Sequence, residues 1–521
     1  MKIARFFLAL MLGISVLPGV ASAQVGSPSL TPPGVAPRQG ITLPAAEPDE
    51  KDEIVIIPGP KIGRQEKPQL TGPMLEMLYR AVWMKIGKEY QDPFKLQDWA
   101  SWENKYKGKL TNEAELDAAL KDMIGSLNDR WTIYYSPTDI AEQQKAAKEG
   151  YISIGMLLRR HKDNAWHIDG MSFASPAQAS VLREGDVIKS INGESLDKLS
   201  QGDVSKKLRG KEGEKVTVLA VIDGKEQSVE LTYAPHGANQ VAVGMLPGNI
   251  VYIRLPTFVS QETVGNFVQA LTQVYEATDG QINGLVFDLR YNSGGLVTMA
   301  LAVSSMFMED GTITATTTRQ DRSITETHYK VMPVPQYLQA RMPAQVNEFT
   351  QWLQTVPLVV LTNGSTASAS EITTGALKDT GRAYVIGTHT FGKAVGYTMS
   401  PLPNGGGLQV TNLSYLTPNG SNIADKGIDP NKVVEQPRGQ AILGEGDEQV
   451  KAAHEYLLKV AQARAKQLAD AQKLATNPQG AEAGHPLVLH PLYVLFAVLG
   501  AAGLVSITLF AVSRKLKRNR R

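Results

Sequence analysis

Apolar and polar positions follow three different rhythms along this chain, and each change of rhythm marks a part of it. From Met74 to Asp129 the apolar residues recur at helical spacing, with Leu75, Leu78, Val82 and Ile86 on one face and Leu116, Leu120 and Ile124 on another. Between Gly150 and about Tyr233 short apolar runs are cut by tight-turn residues, the pattern of a small β-rich module. From Asn249 onward the chain alternates: Ile250–Ile253 reads as a strand, Thr263–Glu276 as an amphipathic helix, and Gly284–Arg290 as a buried strand ending in Tyr291-Asn292-Ser293-Gly294-Gly295. That alternation predicts an α/β domain. Gly311 to about Trp352, with its Thr run and Pro-rich middle, reads as an insertion over the site, a candidate lid.

The densest chemistry lies between Leu361 and Lys393. An apolar strand (Val356–Leu361) runs into a turn crowded with hydroxyls, then a short helix, a strand (Ala383–Ile386) and a Gly-Lys pair. Ser368-Ala369-Ser370-Glu371 fits a capping box, so a helix is predicted to begin just after Ser368. A hydroxyl there lies beside unpaired backbone N–H groups, which suits an anionic transition state. A capping box alone is ordinarily just a helix start. On the residues alone, Ser365, Ser368 and Ser370 remain equal candidates for a nucleophile. The absence of cysteine excludes a thiol.

The turn, helix, strand and Thr390-Phe391-Gly392-Lys393 together resemble the core motif of the carboxyl-terminal processing (tail-specific) peptidases, serine proteases whose base is a lysine. The resemblance implies Ser368 as nucleophile and Lys393 as general base, a Ser-Lys variant of the serine triad. A lysine can take the serine proton only if burial or a neighbouring cation brings its pKa down from about 10.4. Asp288-Leu289-Arg290-x-Asn292-x-Gly294-Gly295 resembles the family segment whose backbone helps form the oxyanion hole. One donor is therefore expected from Gly294 or Gly295 and the second from Ala369. The pattern breaks at Tyr397, where the family commonly has a glutamine that orients the base. Its hydroxyl could position Lys393, or its ring could stabilise the ammonium and weaken the base.

Other segments match the same family. Leu127-Asn128-Asp129-Arg130-Trp131-Thr132-Ile133-Tyr134 resembles the segment ahead of its PDZ domain, and the aromatics there read as core. Tyr151-Ile152-Ser153-Ile154-Gly155, Ser175-Pro176-Ala177 and Gly185-Asp186-Val187-Ile188 look like a bacterial-protease PDZ domain, with Val181 where glycine is usual. Such a domain binds a C-terminal peptide as an added strand, which implies a peptide site at Ile152, Ser153, Ile154 and Gly155. Arg159 and Arg160 are candidate partners for the peptide carboxylate. Leu416–Pro430 again resembles the family, and Gln449–Lys473 reads as an Ala-rich amphipathic helix.

The two ends carry addresses. Lys2 and Arg5, an apolar run from Phe6 to Val16, and Ala21-Ser22-Ala23 read as a signal peptide. Pro491–Val512 is uncharged, long enough to cross roughly 30 Å of hydrocarbon, and trailed by a basic tail that the positive-inside bias keeps in the cytoplasm. Taking the six tail cations and the two of the leader from the formal +2 leaves about −6 for the body, which argues against a nucleic-acid partner.

The expected organisation is a signal peptide (1–23), a linker (24–68), an N-terminal helical part of the protease region (69–145), a PDZ domain (150–235), and a Ser/Lys protease core with its C-terminal helix (240–475). A linker (476–490), a transmembrane helix (491–513) and a basic cytoplasmic tail (514–521) complete it. The fold class implied is an α/β protease core of crotonase-like ββα units with an inserted PDZ domain. The expected function is a membrane-anchored extracytoplasmic serine endopeptidase, held in the bacterial cytoplasmic membrane, that cleaves exported proteins near their C-termini. The PDZ domain would engage the tail and, as the family implies, regulate by moving over the active site. The reading calls for no cofactor and no metal, and is compatible with a homo-oligomer. The alternative is a catalytically weak PDZ scaffold that binds C-terminal peptides, supported by Tyr397. A phosphate loop at Gly387–Lys393 is rejected, because Ala394 replaces the magnesium-binding hydroxyl. His389 has no obvious carboxylate partner as an alternative base.

Overall fold

The computed structural model describes residues 70–149, 152–236, 240–321, 323–440, 442–444 and 446–476. The expected leader, first linker, anchor and basic tail lie outside the described residues, and among those described no helix is long and apolar enough to cross a membrane. The chain divides into two units, 1–461 and 462–521. The second is described only in the exposed last part of helix Glu448–Thr476. The first holds every sheet and the candidate site.

The helical rhythm near the start becomes helices Gly72–Glu89 and Glu113–Gly125, joined by two 3₁₀ turns. Asn112 caps the second by accepting from the Glu115 N–H at 3.0 Å. The two predicted apolar faces meet, and they bury Leu75, Val82, Ile86, Leu116 and Leu120 against Leu408 and Val410 of a sheet contributed by the far end of the chain.

The β-rich module is an antiparallel sheet in the order Met156–Arg160, Trp166–Met171, Val187–Ile191, Lys215–Ile222, Lys225–Thr232. Its last hairpin turns through Asp223 and Gly224, both at positive φ, as a two-residue hairpin turn requires. Entry and exit chains pair as Ile152–Ser153 with Ala234–Pro235, so the module is inserted through a closed two-strand neck.

The α/β rhythm builds a six-stranded sheet in the order Ala242–Leu246, Ile250–Arg254, Gly284–Asp288, Leu358–Thr362, Tyr384–Gly387, Lys432–Val433. All neighbours after the first pair are parallel, which puts the loops carrying chemistry at their carboxyl ends. One face packs on helices Gln261–Thr278, Val297–Phe307 and Ala369–Asp379, and the other is covered by Ala452, Ala453 and Leu457 of the C-terminal helix.

The segment read as a candidate lid begins as sheet. Thr312–Gln320 pairs on one side with Ser323–Lys330 and on the other with Gly407–Leu416, as an inner strand of an antiparallel five-stranded sheet. Its Thr run is β-branched sequence on a pleated surface.

Candidate active site

Asn363–Ala367 leaves the carboxyl end of the Leu358–Thr362 strand and delivers Ser368 to the start of helix Ala369–Asp379. Ser368 sits at φ 57°, ψ −118°, a conformation that costs a non-glycine residue on the order of 1–3 kcal/mol. Neighbouring hydroxyls are already engaged. Ser370 donates to Asn292 O at 2.8 Å, while Ser365 donates to Glu184 Oε1 at 2.6 Å and accepts from the Met171 N–H at 2.9 Å. Of the three candidates, Ser368 is the one on the strained turn.

Glu371 does much more than close a capping box. Its buried carboxylate accepts from Ser368 N–H (2.8 Å) and Lys393 N–H (2.9 Å) on one oxygen. The other oxygen accepts from Gly392 N–H (2.7 Å) and the Thr390 hydroxyl (2.6 Å). Ser368 and Lys393 therefore lie within two hydrogen-bond lengths of each other along their backbones. Burial pushes the Glu371 carboxyl up, and its four donors pull it back. The buried Tyr415 hydroxyl binds the same pair from the other side, at Ser368 O (3.1 Å) and at Lys393 O.

Gly294 packs directly on this turn. A methyl group there would come within 2.6 Å of Ala367 O and 2.8 Å of both Ala369 N and Ser368 Cβ. At Gly295, φ is 147° and a methyl would meet Phe258 C and Val259 N at 2.2 Å. The Gly294 N–H is taken by Asn292 Oδ1 at 2.9 Å, which narrows the expected glycine donor to Gly295. Ala369 is the first residue of its helix, where the N–H has no intrahelical acceptor.

The Lys393 side chain is mostly out of water. Burial, reinforced by Arg159, opposed by Glu371 and reinforced again by Arg130, brings its pKa down from 10.5 to about 8. Its Nζ lies 4.2 Å from the centroid of Trp131 and 4.6 Å from that of Tyr397. The strand after it starts only at Val395 and bulges between Gly396 and Tyr397, yet Tyr397 still meets the amine, with its ring. Trp131, read from sequence as a core aromatic, instead faces the lysine; Tyr134 is the aromatic of that segment that is buried.

Of the residues expected to bind a peptide in the PDZ domain, Ile152 and Ser153 form the neck. Ile154 N–H donates to Leu208 O (3.1 Å) and Gly155 N–H to Ser153 Oγ (3.0 Å), so those two donors are satisfied internally here. Arg159 and Arg160, the candidate carboxylate partners, lie at the far end of strand Met156–Arg160 from that turn. Arg159 lies over Trp131, with its Nε 3.3 Å from Asp169. Arg160 stacks on Trp166 and donates to Leu196 O and Asp197 O. Sequence reasoning missed the hub role of Glu371, whose capping-box position was the available signal. It also missed Tyr415 and the Trp131–Arg159 contact, for which there was none.

The geometry has close company among known proteins. Residues 249–434 match the model of peptidase family S41, and residues 143–221 match the PDZ domain model. A carboxyl-terminal-processing protease of Synechocystis sp. is 30% identical over 364 residues, covering 68% of this chain and 80% of that protein. A carboxy-terminal-processing protease of Bartonella bacilliformis is 29% identical over 332 residues, covering 63% and 71%. The solved structure of a photosystem II D1 C-terminal processing protease shares the fold, with a TM-score of 0.57 at 24% identity over 72% of this chain and 99% of that one.

Proposed function

The chain belongs to peptidase family S41 and is a carboxyl-terminal-processing serine protease, and from that premise we propose that Ser368 is its nucleophile and Lys393 its general base. The observation that carries this reading is the Glu371 carboxylate oxygen shared by the two backbones, at 2.8 and 2.9 Å. Neutral Lys393 takes the Ser368 proton as Oγ attacks the scissile carbonyl. The Gly295 and Ala369 N–H groups receive the oxyanion. Lys393 then protonates the leaving amine, and a water activated the same way releases the acyl group.

The PDZ domain engages the substrate's C-terminal tail. Strand Met156–Arg160 lies at a sheet edge beside helix Gln201–Lys207, where an added strand would fit. The Gln201 side chain bonds Leu158 O at 2.7 Å and would give way to the tail. The sequence of 1–23 and 491–521 supports export and anchoring by one C-terminal helix, with the catalytic body outside and exported proteins as substrates.

The test is cleavage of an unstructured, apolar-tailed polypeptide by the exported body. Ser368→Ala and Lys393→Ala are each expected to lower the rate by at least about 10³-fold. The parent rate should rise with pH through about 8, because the base works only once deprotonated. Full activity in Ser368→Ala would move the nucleophile elsewhere. Release from membranes after deletion of 491–521 tests the anchor.

A further inference from the structure

Three cations converge on a single indole. Lys393 Nζ lies 4.2 Å, Arg159 Cζ 4.9 Å and Arg130 Cζ 5.0 Å from the Trp131 ring centroid. They come from three parts of the fold: the protease core, the PDZ domain and the segment before strand Ile133–Tyr135. Each lies within the range where a ring face attracts a cation. Trp131 is itself held firmly. Its backbone N–H donates to Asp129 Oδ1 at 3.0 Å, its backbone carbonyl accepts from Gln409 Nε2 at 2.7 Å, and Phe391 meets its ring edge-on at 6.2 Å.

The three cations are not equally neutralised. Arg130 pairs with Asp425 at 2.7 Å, and Arg159 has Asp169 at 3.3 Å. Among the described residues Lys393 has no ion-pair partner, and the carboxylate beside it, Glu371, is held by four other donors. The Lys393 amine thus meets two ring faces and feels the charge of two guanidinium groups that share one of those rings.

We propose that Trp131 and Arg159 are positioning residues for Lys393: the indole face fixes where the amine sits, and the guanidinium that the PDZ domain lays on the same indole keeps a second positive charge from settling there. The proposal rests on Lys393 being the base. It makes the PDZ domain a structural part of the active site, through one side chain. The two residues act on the amine with opposite sign. A ring face favours the ammonium, and a neighbouring guanidinium disfavours it. The other charged or titratable groups around Lys393 and its two neighbours include Glu371, Arg130, Tyr397, Tyr415, Tyr135, Asp129, Asp169 with its partner His161, and Asp425. None of these is altered in the test.

The test is the pH profile of kcat/KM, which reports the free enzyme, measured on the whole exported body with the same substrate. Arg159→Gln is expected to move the acid limb to higher pH, with roughly a three- to tenfold loss near neutrality that closes in alkali. Arg159→Lys should keep the parent limb. Trp131→Leu should move the limb the other way and lower the plateau by about ten- to a hundredfold, since the amine loses its seat; Trp131→Phe should recover part of it. Limbs unmoved in Arg159→Gln, or moved in the same direction by Trp131→Leu, would overturn the proposal while leaving the Ser368/Lys393 reading intact. Cleavage surviving in Lys393→Ala would overturn both.

Discussion

Arg290 and Lys393 are both drawn out of water, Arg290 completely and Lys393 for the most part, yet their surroundings are opposites. Arg290 Nε and Nη atoms reach Asp288 (2.6–3.0 Å), Asp447 (2.9 and 3.0 Å) and Gln449 (3.0 Å), and Asp288 in turn accepts from Tyr252 at 2.7 Å. Every partner is fixed and the charge is fully answered. Lys393 has rings, like charges and one carboxylate, Glu371, whose oxygens are already taken by four donors. A saturated cation ties the turn that carries Gly294 to the chain ahead of the C-terminal helix. A starved one is available for proton transfer. Ligand supply thus separates a structural charge from a reactive one within one protein.

Stability measurements offer the sharpest way to break that contrast. Asp447→Asn breaks one of the two buried Arg290–carboxylate pairs and turns an accepting oxygen into an NH₂ group facing donors, which should cost about 3–5 kcal/mol in denaturant unfolding. Burial pushes the Asp447 carboxyl up, but Arg290 and two backbone donors bring it below the ordinary carboxylate range. Its contribution is therefore present at neutral pH and is lost as pH falls through that lowered value. Lys393→Met should do the reverse: activity vanishes while stability near neutral pH rises by on the order of 1–3 kcal/mol. The sign comes from the lowered pKa. Between about 8 and 10.5 the unfolded chain holds a proton that the folded one has shed, so the cost of the folded ammonium is full below that window and gone above it. A stability loss in Lys393→Met would mean that the amine is structurally bound after all.

Glu371 sits between these extremes, a buried acid with a full set of donors and no cation. Glu371→Gln turns one of its two accepting oxygens into an NH₂ group facing N–H or O–H donors. Expected are a stability loss of about 1–3 kcal/mol and a larger fall in kcat than any rise in KM, because serine and lysine drift apart. An unchanged kcat would show that Tyr415 alone holds the pair.

Legibility in the sequence divides along the same line. Elements were legible where burial on one face leaves a period, as in helix Gly72–Glu89, or where burial along the whole length leaves a short apolar run, as at Ile250–Arg254. The Ser368 turn was legible through its capping box and the family motif. The Thr312–Gln320 strand was not, because one of its two partners, Gly407–Leu416, lies about a hundred residues away and a Thr run has no apolar period. The Lys393 environment was legible in part: Tyr397, four residues on, was expected beside the amine and offers its ring there, whereas Trp131 and Arg159 come from distant segments and meet it only in the fold. Local rules find groups that bind their own neighbourhood; they cannot find a charge defined by what fails to reach it.

The smallest expected effect concerns Tyr397, and it refines the contrast. Its side chain is 45% exposed and offers Lys393 a ring face 4.6 Å away. An exposed cation–π contact is worth roughly 0.5–1 kcal/mol and favours the ammonium, so Tyr397 works against the base while Arg159 works for it. Tyr397→Gln removes that ring and can supply an amide oxygen as acceptor. The acid limb of kcat/KM should then shift slightly down if ring loss dominates, with a rate gain of a few-fold at most near neutrality. A carbonyl acceptor that bonds the ammonium would instead hold the limb in place and raise only the plateau. Equal limb and equal plateau in the two proteins would mean that Trp131 seats the amine unaided, and that position 397 is open to either residue.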